Sequence, residues 1–289
     1  MKQKLKLITS LSTLALTGAL AVTACSGEGE GEGHGAEGEG AATSISGEGE
    51  SEGLGGESEG EGLGGESEGE GLGGESEGEG AASSGDPATD DIEYLYRLAL
   101  VRGHLIAFRE LYDSGEREMA LGHSKHPQSE LYAGLAPAFE ARSKPGFADQ
   151  LSALASAAEA GGDIDDAYNA VADAIAAHFP DMTVKTRLLA VSKIVSTAAD
   201  EFDIGVEDDG AITNAHEYQD AYGFLNAARM VLASGETSDM AESEAVAMAQ
   251  EQLDIALSEF DGLTAATTEG AASVLYGAAA RIEIAALGL

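Results

Sequence analysis

From Asp86 to Leu289, apolar residues recur at intervals of three and four, alanine is abundant, and runs of β-branched residues are scarce. That period puts the apolar residues on one stripe of a helix with 3.6 residues per turn. A sheet needs a period of two, and no such pattern is present. The sequence therefore predicts helices near 90–113, 116–125, 127–142, 146–160, 163–178, 183–203, 214–233, 237–260 and 265–287. Gly115, Gly161 with Gly162, Pro180, the stretch "GVEDDG" and Gly235 punctuate them. Asn214, three residues before Glu217, reads as a capping box. Roughly two hundred residues suffice for one core, so residues 89–289 are expected to form a single all-α domain.

This helical region contains an internal echo. "GHLIAFRELYDSGE" (103–116) aligns without gaps to "GFLNAARMVLASGE" (223–236), sharing Gly103, Leu105, Ala107, Arg109 and the turn Ser114-Gly115-Glu116. One residue inserted after the turn brings Met119-Ala120 onto Met240-Ala241 and Glu130 onto Glu251. The expected architecture is thus a helical bundle containing two duplicated αα-hairpins. The copies lie about 120 residues apart rather than about 34, which argues against a continuous tetratricopeptide solenoid.

Residues 26–85 are of another kind. They hold seventeen glutamates, no lysine or arginine, and the repeat "GLGGESEGE" from Gly53, Gly62 and Gly71. One leucine per repeat cannot offset the entropy of ordering the chain. Residues 25–88 are therefore expected to be a disordered, self-repelling Gly/Glu-rich linker, spanning roughly 45 Å root-mean-square.

The chain begins "MKQKLKLITSLSTLALTGALAVTAC": Lys2, Lys4 and Lys6, an apolar stretch over 7–21, then Val22-Thr23-Ala24-Cys25. The apolar part is too short to span a bilayer and reads as a signal peptide over 1–24. Its last four residues resemble the lipobox of bacterial lipoproteins. That resemblance implies cleavage before Cys25 and lipidation of Cys25, palmitate included. Several acyl chains anchor stably where one does not. Ser26, where some members of the family carry aspartate, implies the outer membrane, facing the periplasm. Cys25 is the only cysteine, so disulfides, thiol nucleophiles and cysteine-based metal sites are excluded.

The formal charge is −37, and loss of a segment carrying three lysines would leave −40. Such a chain repels nucleic acid and anionic membrane surfaces and attracts cations and basic partners.

Six histidines occur in the chain, two of them within "GHSKHPQSELY" (122–132). In an antiparallel hairpin turning near Gly115, His104 lies level with His126. A continuous helix would put His123, His126 and Glu130 within about 60° of one another. Pro127 disfavours helical geometry at His126, so a kink or a restart is expected there. In the second copy His216 and Asp220 are spaced i, i+4, and Glu251 lies level with Asp220. Face-to-face packing of the two hairpins would bring histidines of one towards carboxylates of the other, as helical bundles do when they build metal sites. The candidate ligands are His104, His123, His126, Glu130, His216, Asp220 and Glu251. Imidazole with carboxylate suits Zn, Fe, Cu(II) or Mn. His178, at a helix end before "FPD", reads as a cation that complements the helix dipole.

No Gly-x-Ser-x-Gly elbow, phosphate loop or His-Glu-x-x-His motif is present, and the acids of "GVEDDGAITN" do not have EF-hand spacing. No catalytic residue is assigned. Arg102, Arg109 and Arg229 are expected to pair with nearby acids. Tyr94, Tyr96, Tyr112 and Tyr132 are expected to fill the core of the first hairpin.

With "GHL…LYDSGE…MA…HSKHPQSELY" following a Glu/Gly tether, the chain resembles helical lipoproteins of the Gram-negative envelope. In style it is also similar to imelysin-type periplasmic proteins, whose likeness implies duplicated bundles and an association with iron uptake. The His-x-x-Glu motif of that family is not met, because Ser129 follows His126 by three and Gln219 follows His216 by three. Two readings stand at this point. One is a membrane-anchored periplasmic lipoprotein whose helical domain binds or handles a transition metal, with a metal-uptake component or another envelope protein as partner. The other is a helical protein-interaction module without a metal.

Overall fold

The computed structural model describes residues 85–179 and 181–289, apart from the side chain of Glu130. The signal peptide, Cys25 and linker residues 26–84 fall outside them; residues 85–88, expected to belong to the linker, are described, and Arg142 donates to the carbonyls of Pro87 and Ala88. The described residues form α1 (Asp91–Ser114), α2 (Arg117–His126), a π-helical turn (Pro127–Leu131), α3 (Tyr132–Ala141), α4 (Ala148–Glu159), α5 (Asp165–Ala176), α6 (Val184–Gly205), α7 (Ala215–Ala233), α8 (Met240–Leu257) and α9 (Ala272–Leu287). Two isolated β-bridges, Val206 with Ile212 and Ala211 with Thr267, are the only extended pairing among the described residues. The all-α expectation holds. No described helix is long and apolar enough to cross a membrane.

Local chemistry sets the helix starts. Asp90 accepts from the backbone N–H groups of Ile92 and Glu93, Thr183 from that of Thr186, and Asp239 from that of Glu242. Each satisfies donors that the first helical turn leaves without partners. Glu242 reaches back one residue past the cap and accepts from the N–H and the hydroxyl of Ser238. The box expected at Asn214 does not form, since that side chain makes no capping bond and Glu217 is instead buried.

α6 packs along both α7 and α9, and α8 closes the group against α9. α1 packs against both α7 and α6, and α2 folds back on α1. α4 lies on α2, with α5 beyond it. Buried leucine, valine, phenylalanine and alanine from all nine helices form one continuous core.

The two sequence copies meet at this centre. A Cβ added at Gly223 would lie 2.3 Å from the carbonyl oxygen of Gly103, and one at Gly103 would lie 2.4 Å from Cδ1 of Phe224. The matched glycines therefore allow α1 and α7 to touch backbone to backbone.

Their turns differ. Gly115 adopts a left-handed conformation (φ +92°), which lets the N–H of Glu116 close onto the carbonyl of Leu111. At the second turn, Gly235 makes room for Arg187: a Cβ there would sit 3.0 Å from the guanidinium carbon. Arg187 is buried and donates to the carbonyls of Leu232, Gly235 and Glu236, capping α7 at its negative end.

Two helix boundaries depart from expectation. His126 keeps right-handed helical angles (φ −53°, ψ −47°) despite Pro127, and the chain runs on through the π turn, where Tyr132 N–H bonds to Pro127 C=O. The widened turn absorbs the donor that proline lacks. Residues 265–271 are not helical. Ile212 N–H bonds to Ala266 C=O, Thr268 N–H to Gly210 C=O, and Thr268 Oγ1 to Glu259 C=O. These bonds hold the segment between α8 and α9 as an irregular strap.

Candidate metal centre

Four of the five histidines in the described residues gather around Asp220. The hairpin turn at Gly115 returns α2 alongside α1, and the glycine contact presses α1 onto α7. His104, one residue past Gly103, and Asp220, three before Gly223, then face each other at the crossing.

The carboxylate is fully buried, as are His104 and His123. Oδ1 of Asp220 lies 2.6 Å from His104 Nδ1 and 2.9 Å from His123 Nδ1. Oδ2 lies 3.3 Å from His216 Nε2 and has no hydrogen-bond partner. His216 Nε2 is in turn 3.0 Å from His126 Nδ1. The imidazoles of His123 and His216 stack in parallel, 4.0 Å between centroids and 8° between planes. His104 meets the edge of Phe224 at 5.0 Å, which fixes its ring plane.

Gln219 orients His123. Its Nε2 donates to the carbonyl of Leu263 at 2.9 Å and approaches Met119 Sδ at 3.3 Å. Its Oε1 is thereby turned to His123 Nε2, at 2.8 Å, and accepts the proton carried there. His123 then presents its Nδ1 to a carboxylate oxygen. Such a contact is favourable only with a cation between the two atoms, either a proton or a metal ion.

Burial opposes a charge on Asp220, but the charges and hydrogen bonds of His104 and His123 outweigh it and hold the carboxyl well below the usual carboxylate range. The cluster thus has an ionised hub. Burial, reinforced by the imidazoles of His123, His126 and His104, pushes His216 down to about 3 against the pull of Asp220. Its nitrogen lone pair is available to a metal throughout the neutral range.

The donors form two sets, His104 with His123 and Asp220, and His126 with His216 and Asp220. Within each, one ligand atom per residue lies within 4.8 Å of the others. Two donors about 2.1 Å from a tetrahedral ion are about 3.4 Å apart, so an ion requires only small ring movements. Oδ2, which has no hydrogen-bond partner, and the Nδ1 atoms that converge on Oδ1 both fit a bound cation.

Of the seven expected ligands, five converge: His104, His123, His126, His216 and Asp220. The side chain of Glu130 lies outside the described residues, although its backbone is in the π turn. Glu251 is a correction: it is exposed on α8 and belongs to neither set. The height calculation put it level with Asp220, but α8 turns Ala249, Gln252 and Leu253 inward, leaving Glu251 on the far side. His178 also differs from expectation. It is buried, 2.7 Å from the Tyr94 hydroxyl, and burial lowers its pKa, so it does not serve as a cation. Arg109 pairs with Asp113 and Asp165, and Arg229 with Asp254, as expected. Arg102 lies over the ring of Tyr168.

Sequence reasoning missed Gln219 and Gly122. Gln219 drew notice only as a mismatch to another family's motif. Its role depends on the carbonyl of Leu263, in the segment between α8 and α9, which helical periodicity does not position. A Cβ on Gly122 would sit 3.2 Å from His216 Cε1, so this glycine lets the ring lie against α2.

A pH dependence of stability follows. In the fold His216 stays neutral down to about pH 3, whereas in the unfolded chain its pKa is near the ordinary imidazole value of 6.5. His178 is shifted in the same direction by burial. The unfolded state therefore binds more protons below about pH 6.5, and stability present above that value is lost as the pH falls. The slope approaches about 1.4 kcal/mol per pH unit for each proton. Urea denaturation of chelator-treated protein should show a midpoint that declines from pH 6.5 to 5. A flat midpoint over that interval contradicts this account.

Residues 180–283 match the model of the iron permease-associated 4-helix bundle domain. The matched segment takes in α6, α7, α8 and the first three turns of α9. Comparisons with curated proteins and with solved structures found no match. His216, Gln219 and Asp220 lie inside the matched segment, while His104, His123 and His126 come from the helices that precede it. The chain thus carries a region similar to an iron permease-associated domain and a His/Asp group able to hold a metal ion.

Proposed function

We propose that the protein is a metal-handling component of an iron-uptake system in the cell envelope, with the ion bound as cargo at the His/Asp cluster. The observation that carries this reading is the convergence of four imidazoles on one ionised, buried carboxylate whose second oxygen has no hydrogen-bond partner. Such a set is costly to bury without a cation. Nitrogen and oxygen donors without thiolate suit Fe, Zn, Mn or Cu(II), and the similarity of α6–α9 to an iron permease-associated domain favours iron among them.

Location belongs to the same proposal. The signal-like start, the lipobox-like Val22-Thr23-Ala24-Cys25 and the acidic linker support a lipid-anchored protein on the periplasmic side of the outer membrane. A linker of that composition keeps the domain within reach of a membrane-bound uptake component, and its glutamates attract cations.

One fractionation experiment addresses both parts. The full chain and its Cys25→Ser variant are expressed in a Gram-negative host, fractionated, purified and assayed for metal after titration with Fe(II) without oxygen. The expected outcome is a membrane-bound parent and a soluble variant, each retaining tightly held iron that a strong chelator removes. Failure of both proteins to hold Fe(II), Zn(II), Mn(II) or Cu(II) rejects the metal function. Equal partition of parent and variant rejects the anchor.

A further inference from the structure

The two donor sets sharing Asp220 differ in one respect that bears on how an ion enters. His104, His123 and Oδ1 are sealed from solvent. In the other set Oδ2 is buried too, but His126 and His216 are only half-buried, with the His216 side chain 26% exposed. Each set has its own pair of imidazoles and its own oxygen of the same carboxylate. The stacked rings of His123 and His216, one from each set, put the sets about one ring spacing apart, 4.0 Å.

Occupation of both sets at once meets an electrostatic obstacle. At a given distance, two dications repel about four times as strongly as two unit charges. Asp220 is the only carboxylate in either set, so double occupancy would leave a large uncompensated positive charge in a buried region. One ion at a time is neutralised far better.

We infer that the centre holds a single ion in two alternative stations, an outer one for capture and an inner one for retention, with Asp220 passing the ion from Oδ2 to Oδ1. This inference rests on the metal reading above and adds a loading path to it. His126 and His216 meet the incoming ion where water can still leave. His104 and His123 then replace them as ligands, one nitrogen at a time, while the carboxylate stays bound. Gln219 holds His123 Nε2 away from the ion, leaving Nδ1 as the ligand atom. No atom changes oxidation state, and the only exchange is of ligands.

Stopped-flow absorbance with Co(II) alone tests this, using the full chain, with Asp220→Asn as the baseline for ions bound by the acidic linker. The parent should bind one Co(II) per chain above that baseline, in two phases. The first depends on Co(II) concentration; the second does not and is accompanied by a change in the visible spectrum. His104→Ala should keep the first phase, lose the second, and release Co(II) to a chelator about 10–100-fold faster. His216→Ala should slow capture by about 10-fold while leaving release slow. His126→Ala provides the same readout should His216→Ala fold poorly, as circular dichroism will reveal. Two Co(II) per chain, or a single phase with capture and release altered alike by the inner and outer variants, overturns the two-station path and leaves metal binding intact. No Co(II) above the baseline removes both.

Discussion

Asp220→Asn is expected to abolish tight metal binding while leaving the fold in place. The side chains are nearly isosteric, so the α1–α7 crossing need not move. Asp220 is the one residue common to both donor sets, and the substitution removes the only negative charge in them. Residues that merely orient a ligand cost about 10–100-fold in affinity when lost, so loss of the shared ligand should cost at least about 100-fold. Isothermal titration with Fe(II) or Zn(II) measures it. Retention of affinity within a few-fold of the parent would mean that the ion binds elsewhere, and would sink the proposed centre. The variant should also lose the protection from unfolding that added metal gives the parent, since only a ligand bound to the native state stabilises it.

Gly223→Ala is expected to act on the architecture beneath the centre. Its methyl group would lie 2.3 Å from the carbonyl oxygen and 2.9 Å from the carbonyl carbon of Gly103. Both are backbone atoms inside a packed helix, so neither can rotate away, and α1 must move off α7. Overpacking of this kind costs about 1–3 kcal/mol, and for a domain of this size each kcal/mol lowers Tm by about 2–4 °C. Metal affinity should fall as well, because His104 rides on α1 and Asp220 on α7. Gly122→Ala is the informative contrast. Its methyl meets only the His216 ring, at 3.2 Å, so Tm should change little while the outer donors are disturbed. Thermal melts with and without metal measure both. A Gly223→Ala protein with unchanged Tm would show that the glycine contact does not set the helix spacing.

The internal duplication explains why much of the centre was legible, and also where reading stopped. Matching "GHLIAFRELYDSGE" to "GFLNAARMVLASGE" identified Gly103 with Gly223 and predicted two hairpins packed against each other. Those glycines touch, and from that contact the approach of His104 to Asp220 follows. The copies are nonetheless unequal. Phe224 stands where the first copy has His104, and Leu100 where the second has Asp220. The related arrangement on the other side of the crossing therefore lacks these metal ligands. Glu251, placed by the same matching, fails because height along a helix is set by residue number, whereas its facing direction is set by what α8 buries.

Periodicity and turn residues, both local properties of the chain, determined most of the helices, the turn at Gly115 and the all-α class without reference to any partner. The histidines likewise drew notice through rarity and spacing alone. Which of them converge is a different kind of fact. It depends on the crossing of α1 and α7, on a π turn that keeps His126 helical beside Pro127, and on a strap whose Leu263 carbonyl orients Gln219 and through it His123. Contacts between residues about a hundred positions apart arise from packing, and packing fixes the few tenths of an ångström on which a ligand set depends.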